Sequence, residues 1–297
     1  MPLLKVFFAL LVLVSAGPHA ALAQKSPGAQ GGEEQPHRRQ AWLVPTPAPE
    51  TLSHAVLFRP AGEGPFPLAV IAHATTQNVL RRAQMPQPEY RALAGFLVAR
   101  GFAVLVPERP GHGATGGKYL EDQGGCDEAD YLRSGRITGE EIAATIAFMR
   151  KQSFIKPDST VIVGHSAGGW GALALAGEAD IAGIIVFSAG RGGRANDFPN
   201  QICAPHTLIA TAKEFGKAAR VPVTWLVAAN DTYFSPAFSK QLADAFRAAG
   251  GKVDFHALPA FGGEGHWLAE SEGGVKLAAP DLDRALKARP PATAKKR

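Results

Sequence analysis

The strongest constraint on how this chain can fold is a series of apolar runs without polar alternation, separated by longer segments of helical periodicity. Leu68–His73 (LAVIAH), Phe102–Val106 (FAVLV), Val161–Val163, Ile184–Phe187, Thr224–Ala228 and Val253–Ala257 read apolar almost throughout. A strand wetted on one face alternates, so unbroken runs mark strands covered on both faces, as in a parallel sheet flanked by helices. Two earlier candidates, Ala41–Val44 and Ala55–Arg59, are each closed by a proline. Between the runs, Glu89–Arg100 carries Tyr90, Leu93, Phe96 and Leu97 on one face and stops at Gly101. Gly139–Lys151 spaces Ile142, Thr145, Ile146 and Met149 helically, and Pro236–Ala249 repeats Phe238, Leu242 and Phe246 before Gly250. The alternation predicts α/β architecture: a mostly parallel central sheet of about eight strands with helices on both faces. Pro110–Thr138 and Gly190–Val221 exceed a tight connection and read as excursions over one end of the sheet, where a pocket would be lined.

The chain has 297 residues, 46% hydrophobic and 19% charged, enough apolar material for one sizeable core across residues 41–288. Its start reads as a targeting segment. Lys5 precedes the apolar run Val6–Ala16, and Ala21-Leu22-Ala23 puts small residues where a signal peptidase reads. The run is shorter than the roughly 20 residues that span a bilayer, so residues 1–23 are expected to be a cleaved signal peptide rather than an anchor. Gln24–Gln40 is polar and rich in Gly and Pro and is expected to be a disordered leader. This implies a secreted or periplasmic protein with no stable membrane anchor. The formal charge of +5 loses one unit with Lys5, and part of the rest sits in the basic tail, residues 289–297. No basic stripe interleaved with aromatics occurs, so no nucleic-acid partner is expected. Cys126 and Cys203 are the two cysteines. Neither has zinc-finger spacing, so no metal is expected, and an oxidising compartment permits one disulfide between them.

Gly164-His165-Ser166-Ala167-Gly168 fits G-x-S-x-G, a pattern that chance alone also produces. Its context is informative: Thr160–Val163 reads as a strand directly before it and Gly168–Glu178 as a small-residue helix directly after it. A nucleophile presented on so sharp a turn needs flanking residues without Cβ atoms, and the helix N-terminus favours developing negative charge. Asp231 stands just past Val223–Ala228, at the end of a strand where ligands bind in open parallel sheets, and is the candidate acid; a turn-forming Asp after Asn230 is the alternative. His266, in the glycine-rich Gly262–Trp267 loop, is the candidate base. His165 adjoins the serine and cannot fold back onto it, and His256 lies within the expected strand Val253–Ala257. Backbone N–H groups of Ala167 and Thr75 are the candidate oxyanion donors, with His73 structural beside them. Arg191 and Arg194 read as solvated loop arginines, with contact to an acidic substrate group as the alternative. Cys126 with Asp127, Asp130 and Tyr131 reads as a loop ordered by its own contacts.

His73-Ala74-Thr75, the Glu108–Gly113 turn, Gly164–Gly168, Asp231 and Gly265-His266 together resemble the α/β-hydrolase superfamily, nearest its dienelactone-hydrolase-like and esterase branches, over about residues 50 to 270. Two differences stand out. Dienelactone hydrolases usually carry a cysteine nucleophile where this chain has Ser166, and the family commonly has glycine where Ala74 stands. The resemblance implies hydrolysis of a small ester or lactone through an acyl-enzyme, with no cofactor. Ser166 would attack, His266 would take its proton, and Asp231 would stabilise the imidazolium. A serine peptidase of the prolyl-oligopeptidase-like branch shares the triad order but adds a large propeller for which this chain is too short. A non-catalytic binding protein on the same scaffold would break the Ser166, Asp231 and His266 set. A purely structural exported protein leaves the strand-serine-helix arrangement unexplained.

Overall fold

Phe66–Ala72 shows why its sequence runs apolar without a break: Leu68, Val70 and Ala72 enter one core cluster and Ala69 and Ile71 the other, on opposite sides of one sheet. The computed structural model describes residues 26–178 and 180–288. The expected signal peptide (1–23) and basic tail (289–297) lie outside the described residues. The strands are β1 (Gly28–Ala29), β2 (Gln40–Pro45), β3 (Leu52–Phe58), β4 (Phe66–Ala72), β5 (Ala103–Pro107), β6 (Ile155–His165), β7 (Ile181–Phe187), β8 (Val223–Ala228) and β9 (Val253–Leu258). The helices are α1 (Val79–Ala83), α2 (Arg91–Val98), α3 (Tyr131–Met149), α4 (Ala167–Ala174), α5 (Pro205–Ala218), α6 (Pro236–Ala248) and α7 (Glu272–Lys287).

The strands form one sheet in the order β1-β2-β3-β5-β4-β6-β7-β8-β9. From β5 to β9 every pairing is parallel, while β1, β2 and β3 add antiparallel pairings on one side. Ile142, Ile146, Trp170, Leu208, Phe215, Leu242 and Phe246 from α3, α4, α5 and α6 cover one face. Leu93, Leu97, Val275, Ala278 and Leu282 from α2 and α7 cover the other. The chain moves outward from β4 to β5 and then returns across β4 to place β6. The carboxyl ends of β4 and β6 therefore meet where the strand order reverses, the crevice in which open α/β sheets bind ligands.

Several expectations are corrected. Residues 26–40 of the expected disordered leader are ordered. Gly28 and Ala29 pair with Leu43 and Trp42, covering the open edge of β2, and Arg39 bridges to Glu89 at 2.6 Å. Helix α3 starts eight residues before Gly139, capped by Asp130, whose carboxylate accepts the Arg133 N–H. Gly135, within the added turns, is a packing point: an added Cβ would stand 2.7 Å from Phe215 Cζ and 3.0 Å from Trp170 Cδ1. The excursion Gly190–Val221 contains α5, with Pro205 in its first turn and Leu208, Ala212 and Phe215 turned into the core. Helix α7, absent from the sequence reading, carries Pro280 within it.

Candidate active site

Strand β6 ends at His165 and α4 begins at Ala167, so Ser166 alone makes the turn, at φ 54° and ψ −118°. A non-glycine residue in such a conformation costs roughly 1–3 kcal/mol and persists only where its surroundings hold it. Here the Ser166 N–H donates to Phe187 O at 2.9 Å, and Ser166 O accepts from Trp170 N at 2.9 Å and Gly190 N at 3.2 Å. The flanking glycines are steric necessities. A Cβ on Gly164 would lie 2.5 Å from Gly169 Cα, and one on Gly168 would lie 2.6 Å from His73 O and closer still to the Ala72 carbonyl.

Asp231 follows β8 in the turn that leads to α6. Its Oδ1 accepts the N–H groups of Tyr233 (2.8 Å) and Phe234 (2.9 Å), and its Oδ2 faces His266 Nδ1 at 3.0 Å. Burial by itself would raise its carboxyl pKa. The hydrogen bonds from His266, the Ser188 hydroxyl and the Phe234 N–H outweigh this and hold it below the ordinary value. With Nδ1–H donated to this carboxylate, Nε2 is left to accept a proton.

His266 stands in a short 3-10 helix, Gly265–Glu270, rather than in the flexible loop expected from its glycines. Glu264 caps that turn by accepting the His266 N–H at 3.1 Å, and also accepts the Thr232 N–H at 3.0 Å. The carboxylate thereby joins the acid-bearing and base-bearing segments. Tyr233 stacks on the imidazole, with ring centroids 4.1 Å apart and planes 20° from parallel. Burial lowers the His266 pKa below 6.5, against the raising pull of Asp231. Ser166 and His266 line one cavity of about 790 Å³. Among the described residues no hydrogen bond joins Ser166 Oγ to His266 Nε2, a contact that in unliganded sites often tightens only with substrate.

Thr75 and Ala167 line the same cavity, after β4 and β6 respectively. Neither backbone N–H is taken by another protein group among the described residues. The neighbouring Ala74 N–H is occupied, donating to the Tyr90 hydroxyl at 3.2 Å. The Thr75 hydroxyl meets His112 Nε2 at 2.5 Å.

Arg191 is buried, which corrects its reading as a solvated loop arginine. Its guanidinium donates to Glu121 at 2.6 Å, Thr138 Oγ1 at 2.9 Å and Tyr119 OH at 3.1 Å. Arg109 takes the same Glu121 carboxylate in a two-toothed contact, both bonds 3.1 Å. Burial would raise the Glu121 pKa, but the two guanidiniums and His112 hold it well below the carboxylate range. Residue 191 lines the cavity, yet its charge is committed inward. Arg194, partly exposed on the same wall, donates to Thr232 Oγ1 at 2.8 Å and pairs with Glu264 at 3.4 Å. Cys126 and Cys203 are joined in a disulfide, Cα atoms 4.7 Å apart, tying the segment after β5 to the segment after β7 on the cavity wall. His256 on β9 pairs with Asp254 and Asp281 and takes no part in the cavity lining. Among the described residues no group of three or more His, Cys, Asp or Glu side chains is arranged to hold a metal ion.

Sequence reasoning did not find Ser188, Tyr90, Tyr233, Glu264 or Glu121. Ser188, Tyr90 and Glu121 act through residues distant in sequence, whereas Tyr233 follows Asp231 closely and Glu264 stands two positions before His266, which gave both a local hint.

A model of the alpha/beta hydrolase family matches residues 69–293. No curated protein matches the chain. Among solved structures, an esterase from Pyrococcus furiosus is similar with a TM-score of 0.58 at 13% identity, over 89% of this chain and 99% of that one. An acetyl xylan esterase from Paenibacillus sp. aligns with a TM-score of 0.60 at 14% identity, over 90% of each chain. A Klebsiella pneumoniae protein assigned as a dienelactone hydrolase aligns at 0.57 and 14%, over 84% of this chain and 99% of that one. At such identities the likeness is one of fold. The family model spans well over half of the sequence, including the elbow, the acid and the histidine, and on that ground the chain belongs to the alpha/beta hydrolase family.

Proposed function

We propose that this chain is an exported serine carboxylesterase that hydrolyses small esters or lactones through an acyl-enzyme. The observation that carries the reading is the buried Asp231–His266 pair, 3.0 Å apart, lining one cavity with a serine held in a strained strand-to-helix turn. Ser166 Oγ attacks the ester carbonyl while His266 Nε2 takes its proton, and Asp231 stabilises the resulting imidazolium. The tetrahedral oxyanion is met by the free N–H groups of Ala167 and Thr75, each such donor being worth about 3 kcal/mol. His266 then returns the proton to the leaving alcohol. Water repeats the sequence on the acyl-enzyme, releasing the acid and restoring Ser166.

The solved relatives named as esterases support an ester bond as the one broken. A cavity of about 790 Å³ accommodates a small-molecule ester. Export is supported by the apolar Val6–Ala16 run and by the Cys126–Cys203 disulfide. Intact mass after exposure to a fluorophosphonate, with Ser166→Ala in parallel, tests the nucleophile: one adduct lost in the variant supports it. No adduct on folded protein would favour a binding role. A panel of p-nitrophenyl esters, lactones and peptide anilides then separates esterase from peptidase, and cell fractionation locates the mature protein.

A further inference from the structure

We infer that the Tyr90 hydroxyl and the His165 imidazole form a positioning brace that sets the oxyanion loop, the nucleophile turn and the catalytic histidine relative to one another. The inference rests on the esterase reading and adds two residues that its mechanism does not use.

The bonds run in one direction through the back of the site. The Ala74 N–H donates to the Tyr90 hydroxyl at 3.2 Å, and the Tyr90 O–H donates to His165 Nδ1 at 2.9 Å. His165 Nε2–H then donates to the His266 carbonyl at 2.8 Å. A carbonyl only accepts, so Nε2 carries a proton, and in the neutral ring Nδ1 receives the tyrosine's. The chain of bonds thus joins the residue before the donor Thr75, the residue before the nucleophile Ser166 and the base itself. Glu270, at the end of the His266 turn, stands 3.4 Å from both the Tyr90 hydroxyl and His165 Nδ1.

Two further features indicate a held geometry. Tyr90 occupies the left-handed region, φ 47° and ψ 43°, at the start of α2, which a tyrosine adopts only when its surroundings impose it. With Ala74 N–H turned to Tyr90, the next N–H along the chain, that of Thr75, has no protein partner among the described residues on the cavity wall. The His165 ring lies 5.0 Å from the His266 ring and 5.8 Å from that of Trp267, so the brace is packed as well as bonded. Misplacing reacting groups by about 1 Å can cost about 100-fold in rate, so a brace of this kind acts on turnover more than on substrate affinity.

The test is Tyr90→Phe, which deletes one oxygen and keeps the ring. Rates are expressed per active site titrated with a fluorophosphonate, so that misfolded protein does not count. The expected result is a fall in kcat of about 10- to 100-fold with KM within about threefold, and an equal weakening of a boronic-acid transition-state analogue. A purely structural tyrosine would lower the titrated fraction or the melting temperature and leave kcat per site unchanged, and a kcat within about twofold of the parent overturns the inference. A second pair guards against failure to fold: His165→Gln retains an N–H able to reach the His266 carbonyl, whereas His165→Ala does not. Glutamine is expected to retain about tenfold more kcat than alanine, and equal rates would overturn the brace. An unlabelled parent protein would sink the esterase reading first, whereas a labelled parent with an unimpaired Tyr90→Phe would sink the brace alone.

Discussion

Gly168→Ala perturbs the site by a single methyl group. The new Cβ would stand 2.6 Å from His73 O and nearer still to the Ala72 carbonyl carbon and oxygen, all of them backbone atoms of the β4 terminus. Carbon–oxygen contacts rest at about 3.3 Å, so the start of α4 must retreat from β4 by about 0.7 Å to clear His73 O and by about 1.2 Å to clear Ala72 O. That movement separates Ala167 from Thr75, the two groups that would share the oxyanion, and shifts Ser166 against His266. A displacement of this size costs about 100-fold, or about 2.7 kcal/mol of transition-state stabilisation, and overpacking costs roughly 1–3 kcal/mol of stability. The assay is kcat and KM on a p-nitrophenyl ester beside a urea denaturation curve, with Gly263→Ala, where an added Cβ meets nothing within 4 Å, as the control. The expected pattern is a large fall in kcat, a smaller change in KM and an unaffected control. If Gly168→Ala turned over within threefold of the parent, roughly 0.7 kcal/mol by the transition-state relation, the steric account of the elbow and the placement of the oxyanion donors would both be refuted.

The acid limb of kcat/KM should lie below pH 6.5. Burial depresses the His266 pKa, and activity, which needs the neutral imidazole, is lost as pH falls through that lowered value; a limb above pH 7 would contradict the burial seen here. Removing the Cys126–Cys203 bridge, which spans 77 positions, should cost about 4 kcal/mol on the chain-entropy account. Calorimetry would register this as a loss of about 10 °C in Tm, and identical melting of the Cys126→Ser variant would refute it. Glu121→Gln leaves Arg109 and Arg191 buried without their shared anion, and chemical denaturation should show a loss of about 3–5 kcal/mol. A loss under about 1 kcal/mol would mean that water reaches the guanidiniums.

The fold was legible because burial on both faces of a strand leaves a local signature. All eight expected strands are present, and the six read from unbroken apolar runs need no context beyond their own residues and flanking turns, as Phe66–Ala72 illustrates. The candidate triad was legible for a related reason: Ser166 sits in a turn whose steric demands are met by near neighbours, Gly164 and Gly168. Asp231 and His266 follow the ends of recognisable strands. The helix over Tyr131–Met149 begins eight residues before the expected Gly139, and Gly135 in its added turns packs against Phe215, 80 positions away, a closeness that the local sequence does not announce.

The sequence by itself therefore determined the layered sheet and the order of the motifs, and it nominated Ser166, Asp231 and His266 as the candidate site. Tertiary structure alone decided that Arg191 is turned inward onto Glu121, that Gly28 and Ala29 cover the edge of β2, and that Tyr90 and His165 connect the site's three segments. Local patterning reports whether a residue is buried and on which face. Which partner a buried polar group finds depends on segments brought together from 70 or more positions away, as with Arg191 and Glu121 or Tyr90 and His165. Only the folded packing selects that partner.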